Sequence, residues 1–222
     1  MAARPRPRQV EEPLRLARGR HAPPPEVRAA LQRQRLMRAA ASEFAERGYG
    51  GATATSIASR AGMSKATFYE HFDNKLACML ALYDRANEVV GRAIVEALDG
   101  AGMSDAATRL RAATRAYLET VAQHPDLTHV LVAEIIAAGP EAMAERDQSM
   151  QLFADFLDAE NAKASKLGLG PRFASPHDAY AIVGGVTELI SRHVRLGKPK
   201  RLLELAPVID RLIDGVLARG SQ

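Results

Sequence analysis

Between Thr53 and Lys75 the chain places Ser64, Lys65, Thr67, Tyr69 and His71 in close succession: hydroxyls, an ammonium, a phenol and an imidazole. These groups donate hydrogen bonds and positive charge, which suits phosphate oxygens and base edges better than it suits bond-breaking. Phe68 and Phe72 stand at i and i+4, so they anchor one face of a short helix. Lys65, Thr67, Tyr69 and His71 are then the outward residues, able to enter a major groove. Thr53 and Ser64 read as helix caps whose first amides can meet phosphate, and Lys75 opens the next helix beside the same backbone.

The elements that must hold these side chains are legible in the same stretch. Short helices are predicted near 54–61 and 65–72. Ile57 and Ala58 face inward, and the small Ala58 lets a second helix cross closely. Gly62 falls where a tight turn demands positive φ, and Met63 plugs the corner. This is the logic of a helix-turn-helix. Ahead of it, Val27, Leu31, Leu36, Ala40 and Phe44 recur at helical spacing from Glu26 until Gly48 closes the helix. Behind it, Lys75 to Leu98 reads as one long helix.

Catalytic patterns are absent. The six His do not form a ligand cluster, and Asp126-x-x-His129 has no second pair to complete a di-metal bundle site. No Gly-rich phosphate loop or Gly-x-Ser-x-Gly elbow occurs, so no catalytic residue, metal or cofactor is expected. The single cysteine, Cys78, forbids an intrachain disulfide and reads as a small buried apolar group. No apolar run is long enough for a membrane span, and the first residues lack a signal-peptide pattern, which predicts a cytoplasmic protein.

Charge is uneven along the 222 residues. Residues 1–25 hold six Arg against two Glu, and residues 26–76 hold eight Lys or Arg against five Asp or Glu. The remainder is mildly acidic, so a polyanion-binding head on a body with another task is implied. Residues 1–25 also contain six of the 12 prolines and few large apolar groups, and are predicted to be a disordered arm.

The body reads as helices throughout, because Ala and Leu far outnumber Val and Ile. Ser104 is the expected cap of a helix carrying Leu110, Ala113, Tyr117, Leu118 and Val121, which stops at His124-Pro125. Helices follow at about 126–138 and 140–167. Another starts at Ser175-Pro176 and runs to about Arg195, and the last covers about 201–218 with Pro207 as a kink or later start. That makes about nine helices and no strand. Met79, Tyr83, Tyr117, Met143, Met150, Phe153 and Phe156 are candidates to line a ligand cavity. The last two helices, about 176–195 and 201–218, are expected to form a two-fold dimer, the first through the broad apolar face of Ile182, Val183, Val186, Leu189, Ile190 and Val194, with Gly184-Gly185 allowing close backbone approach.

Phe44-Ala45-Glu46-Arg47-Gly48-Tyr49, Thr53, Ile57-Ala58, Ala61 to Tyr69, Phe72 and Lys75 together resemble the DNA-binding domain of the TetR (tetracycline repressor) family. Ala66 and Ala52 depart from its frequent Gly and Thr, both small changes. The resemblance, over about residues 30–80, implies phosphate contacts from Thr53, Tyr69 and Lys75, and groove contacts from Ser64, Lys65, Ala66, Thr67 and His71. It further implies an all-α chain with a three-helix helix-turn-helix domain at 26–74 and a helical effector-binding and dimerisation domain at 75–222. Its expected partners are a double-stranded DNA operator, a small apolar effector and a second copy of the chain. A ligand-independent architectural DNA binder is the alternative.

Overall fold

The computed structural model describes residues 24–219, so the expected arm over 1–25 lies almost wholly outside the described residues. Among the described residues there are nine helices and no strand. α1 spans Pro25–Gly51, α2 Ala54–Arg60, α3 Lys65–His71, α4 Lys75–Ala101 and α5 Ala106–Gln123. α6 begins as Pro125–His129, passes through a π-helical turn at Val130–Glu134 and finishes as Ile135–Ala137. α7 spans Pro140–Lys166 and α8 Asp178–Leu196; a 3-10 turn at Leu202–Leu205 leads into α9, Ala206–Arg219.

Helix ends differ from expectation for local reasons. Gly48 ends the regular helix as expected, at φ 70° and ψ 163°, but a short further turn carries α1 on to Gly51. Asp105 rather than Ser104 caps α5, accepting from the Thr108 amide at 3.0 Å, while the Ser104 hydroxyl donates back to the Ala101 carbonyl. α8 starts at Asp178 because Ser175 spends its polar groups on a tight turn: its amide donates to Asp178 Oδ2 at 3.0 Å, and its hydroxyl accepts from the His177 amide at 3.1 Å. Pro207 sits in the first turn of α9, where its missing N–H is no loss.

α1, α2 and α3 close around Leu36, Phe44, Ile57 and Phe68, all fully buried. α4 leads from this cluster into the body, where it lies along α5, while α7 lies along α8 and α9 against α5. Asn74 caps α4, its side chain accepting from the Ala77 amide at 2.8 Å.

The expected dimer face requires correction. Ile182, Val186 and Ile190 are 0%, 2% and 0% exposed within the single chain, Val183 reaches an internal cavity, and Leu189 and Val194 pack against the core. An amphipathic helix has one broad apolar stripe, and the chain's own core has taken it. The glycine pair serves the same packing: a Cβ on Gly185 would lie 3.1 Å from Leu212 Cδ2 of α9.

Candidate nucleic-acid interface and the cavity behind it

The turn between α2 and α3 is built as its residue types require. Gly62 takes φ 68°, its amide donates to the Ser59 carbonyl at 3.0 Å, and the Met63 amide donates to the Ala58 carbonyl at 2.9 Å. Arg35 of α1 braces the corner by donating to the Ala61 carbonyl at 2.8 Å. Thr53 and Ser56 form a reciprocal capping box at 3.0 Å each way, and Ser64 Oγ accepts from the Thr67 amide at 3.0 Å. Phe68 and Phe72, 0% and 4% exposed with ring centroids 5.5 Å apart, pin the inner face of α3.

A buried ion pair fixes α2 against α1. Arg60 Nε donates to Glu43 Oε1 at 2.7 Å and the same guanidinium pairs with Glu46. Glu43 is 2% exposed. Burial pulls its carboxyl upward, but hydrogen bonds from Ser56 and Arg60 and the charges of Arg47 and Arg60 prevail and hold it below its ordinary value.

With the inner face anchored, Ser64, Lys65, Ala66 and Tyr69 stand exposed on one side of α3, and Thr53 is exposed at the start of α2. Tyr69 is 48% exposed, so its ring is not core, and Lys65 Nζ lies 5.8 Å from that ring's centroid. Thr67 is half-buried, its hydroxyl 3.0 Å from Ser64 Oγ. Two residues sit less openly. His71 is half-buried with Nε2 turned inward. Lys75 points its ammonium into the protein, donating to the Tyr49 carbonyl at 2.5 Å and the Ala52 carbonyl at 3.0 Å, over the Tyr49 ring at 4.0 Å. Its charge therefore ties the end of α1 to the start of α4.

Residues 36–82 match the family model described as bacterial regulatory proteins, tetR family, a span that contains all eight of these side chains. Those residues carry a tetR-family DNA-binding domain. It is 28% identical over 197 residues to the HTH-type transcriptional regulator YdgC of Bacillus subtilis (strain 168), covering 85% of this chain and 94% of that one. It is 35% identical over 103 residues to the HTH-type transcriptional activator FasR of Mycolicibacterium smegmatis, covering 46% of each. The fold is similar to that of FadR from Bacillus subtilis, solved in complex with stearoyl-CoA, at a TM-score of 0.71 with 19% identity over 81% of this chain and 96% of that one. Both of these relatives are transcriptional regulators.

Behind the DNA-binding domain lies a cavity among α4, α5, α6, α7 and α8. It offers about 60 Å³ of space that the centre of a water molecule can reach. Tyr83, Tyr117, Met150, Phe153 and Phe156 line it as expected from the sequence. Met79 and Met143 do not. Each precedes the cavity by one helical turn, Met79 ahead of Tyr83 on α4 and Met143 ahead of Arg146 on α7, and Met79 is wholly buried in the core. The polar lining was missed: Asn87, Thr114, Arg146, Ser149 and Thr187 interrupt the apolar wall. Arg146 and Ser149 sit on the helical stripe of Met150 and Phe153, which was the available signal. Burial pushes the Tyr117 phenol up to about 12, with the Thr187 side chain as its hydrogen-bonding neighbour. Cys78 is fully buried and its thiol is pushed up to about 12 by burial, so it stays protonated at neutral pH. No described helix is long and apolar enough to cross a membrane.

The cavity and the DNA-binding domain share one turn of backbone. Leu131 of the π turn lines the cavity, and Glu134 of the same turn accepts the Tyr49 amide at 2.5 Å just beyond the Gly48 kink. Glu134 is 8% exposed, and His129 Nδ1 lies 3.3 Å from its other oxygen. At the start of α6, Ser42 donates to Asp126 at 2.9 Å.

Proposed function

We propose that this protein acts in the cytoplasm as a homodimeric repressor that holds a palindromic operator through α3 and releases it when a small, predominantly apolar molecule enters the cavity. The observation that carries the reading is the π turn Val130–Glu134, which touches the cavity through Leu131 and the DNA-binding domain through Glu134. A π turn replaces the i→i+4 ladder of the surrounding helix by i→i+5 bonds and is frequent at functional sites, which suits a joint. The cavity as built has room for about four waters by the usual measure of ~15 Å³ each, so a larger guest must part the helices around it. That displacement reaches Leu131 first. The stearoyl-CoA in the similarly folded FadR supports an apolar guest for such a body.

For DNA, Lys65, Tyr69 and the backbone at Thr53 and Ser64 are the contacts this reading uses, with Ala66 and Thr67 against base edges. Lys75 and His71 act by positioning. For the dimer, α8 and α9 retain outward faces that the core does not use: Ala181, Glu188 and Arg192 on α8, and Val208, Arg211 and Gly215 on α9 are exposed. Val208, Leu212 and Gly215 follow helical spacing, and a Cβ at Gly215 meets nothing within 4 Å among the described residues. A two-fold pairing there sets two copies of α3 one or more turns apart on duplex DNA.

The test is operator affinity by fluorescence anisotropy, using a duplex selected from random DNA, across a library of apolar acids, aromatics and antibiotics. A ligand that prefers the DNA-incompetent form by ~100-fold removes ~2.7 kcal/mol of operator affinity, and operator must weaken ligand binding by the same factor. Unchanged affinity throughout the library replaces this reading with a ligand-independent architectural DNA binder.

A further inference from the structure

Four of the cavity's polar side chains are gathered at one end; of the others, Thr114 donates to the Arg111 carbonyl and Thr187 is the hydrogen-bonding neighbour of Tyr117. α4 and α7 run side by side in the same direction: Asn87 donates to Ser149 at 3.2 Å, and a Cβ on Gly91 would touch the Phe153 ring at 4.0 Å. From Tyr83 to Ile94 on α4, and from Arg146 to Leu157 on α7, is about three turns, or ~16 Å. At the first end stand Tyr83, Asn87, Arg146 and Ser149, while the wall beyond is Val90, Ile94, Phe153 and Leu157. The cleft is polar at its head and apolar along its length.

Arg146 gives the head its sign. Its side chain is 19% exposed, and Nε is buried with no hydrogen-bond partner. Among the described residues its one carboxylate neighbour is the exposed Asp147, at 3.6 Å from Nη1, too loose and too wet to satisfy a guanidinium. A half-buried cation with an unused donor beside an apolar cleft is a costly arrangement unless an anion completes it. The surroundings are of opposite sign. Asp84 and Glu145 flank Tyr83 and Arg146 in the chain, and burial together with the charges of Glu145 and Glu88 raises the Asp84 carboxyl, while Glu88, a turn further on, is paired with Arg85 at 2.9 Å. A single negative charge that reaches Arg146 is neutralised there. A group with several phosphates, too bulky to follow, is left among carboxylates.

Resting on the reading of this cavity as the effector site, we propose that it takes a medium-chain monocarboxylate. The carboxylate pairs with Arg146 beside Tyr83 and Asn87, the alkyl chain runs toward Ile94 and Leu157, and Asp84 and Glu145 select it against the polyanionic coenzyme A ester.

Isothermal titration of the full chain with decanoate, decanol and decanoyl-coenzyme A tests this. Decanoate is expected to bind about tenfold or more tighter than decanol, as the loss of a charge-assisted hydrogen bond implies. Decanoyl-coenzyme A is expected to bind at least about tenfold more weakly than decanoate. Arg146→Gln should bring decanoate down to the level of decanol while leaving decanol within about twofold, which also certifies that the variant is folded. Arg146→Lys, which keeps the charge and loses the planar fork, should fall between the two. Two results overturn the head-group assignment while the cavity reading survives: decanoyl-coenzyme A binding as tightly as decanoate, or decanoate indifferent to Arg146→Gln. Failure of all three probes to bind overturns the monocarboxylate assignment, and the effector reading falls with it only if the whole library also leaves operator affinity unchanged.

Discussion

Lys65 and Tyr69 are exposed on α3 while Phe68 between them is fully buried, so truncating either outward residue removes a DNA contact without touching the core. Lys65→Ala and Tyr69→Ala are each expected to weaken duplex binding by roughly 1–3 kcal/mol, measured by anisotropy, with the helical circular dichroism signal unchanged. Glu43 predicts the opposite pattern, a loss of stability first. Its carboxyl is held below its ordinary value of 4.5, so its stabilising effect is complete above that pH and disappears as pH falls through the depressed folded value. Arg47 is 56% exposed and its share is screened, which leaves Arg60 as the principal partner. Glu43→Gln should cost roughly 1–3 kcal/mol at neutral pH and flatten the acid limb of the thermal stability profile. An acid limb identical to the parent's would show that the pair contributes nothing. Lys75 illustrates how a side chain of the right type and spacing can serve another purpose. Its ammonium satisfies two carbonyls freed at the end of α1, and no spacing rule distinguishes that from a free cation on the surface.

Among the elements, α6 is the one whose interior departs most from its expected form. A plain helix over about 126–138 is what Leu127, Leu131 and Ile135 suggest, and the π turn inside it depends on packing against α1 on one side and the cavity on the other. Glu134 is the strut across that joint. Glu134→Gln keeps the shape and an acceptor for the Tyr49 amide but removes the charge, so it should leave effector binding unchanged while shrinking the effector-induced loss of operator affinity. Equal linkage in parent and variant, from affinities measured with and without ligand, would remove Glu134 from the coupling. Phe153→Trp on α7 acts from the other side. Its ring lines the cavity, so the added bulk should blunt the ligand response while operator binding in the absence of ligand persists.

For the whole molecule, the proposed dimer and the proposed head-to-body signal depend on surfaces that only the assembled chain exposes. Val208→Glu puts a charge on the unused face of α9 and is expected to yield monomers by light scattering at micromolar concentration, with operator affinity lost and helix content kept. A dimer that survives this change and a matching charge at Ala181 would place the interface elsewhere. Rising salt should weaken operator binding steeply, and a chain lacking residues 1–25 should show a shallower salt slope if its arginines meet phosphate.

How much could be read in advance varied with the range of the interactions involved. The helix-turn-helix was legible because its determinants are local: Gly62 needs positive φ, Thr53 and Ser64 cap the residues three further on, and Phe68 and Phe72 share a face by helical geometry. All-α architecture followed for the same reason, from composition and caps. The partner of an apolar stripe, by contrast, is not encoded in its periodicity. Ile182, Val186 and Ile190 have the pattern of an interface, yet α5, α6 and α7 cover that stripe inside one chain. The cavity divides in the same way. Five of its seven predicted side chains were identified by type and spacing, whereas Met79 and Met143 lie one turn outside it. Arg146 gained its significance only when α4 came alongside α7. A guanidinium on an isolated helix is solvated, and burial beside Tyr83 and Asn87 is what leaves its Nε in want of an anion.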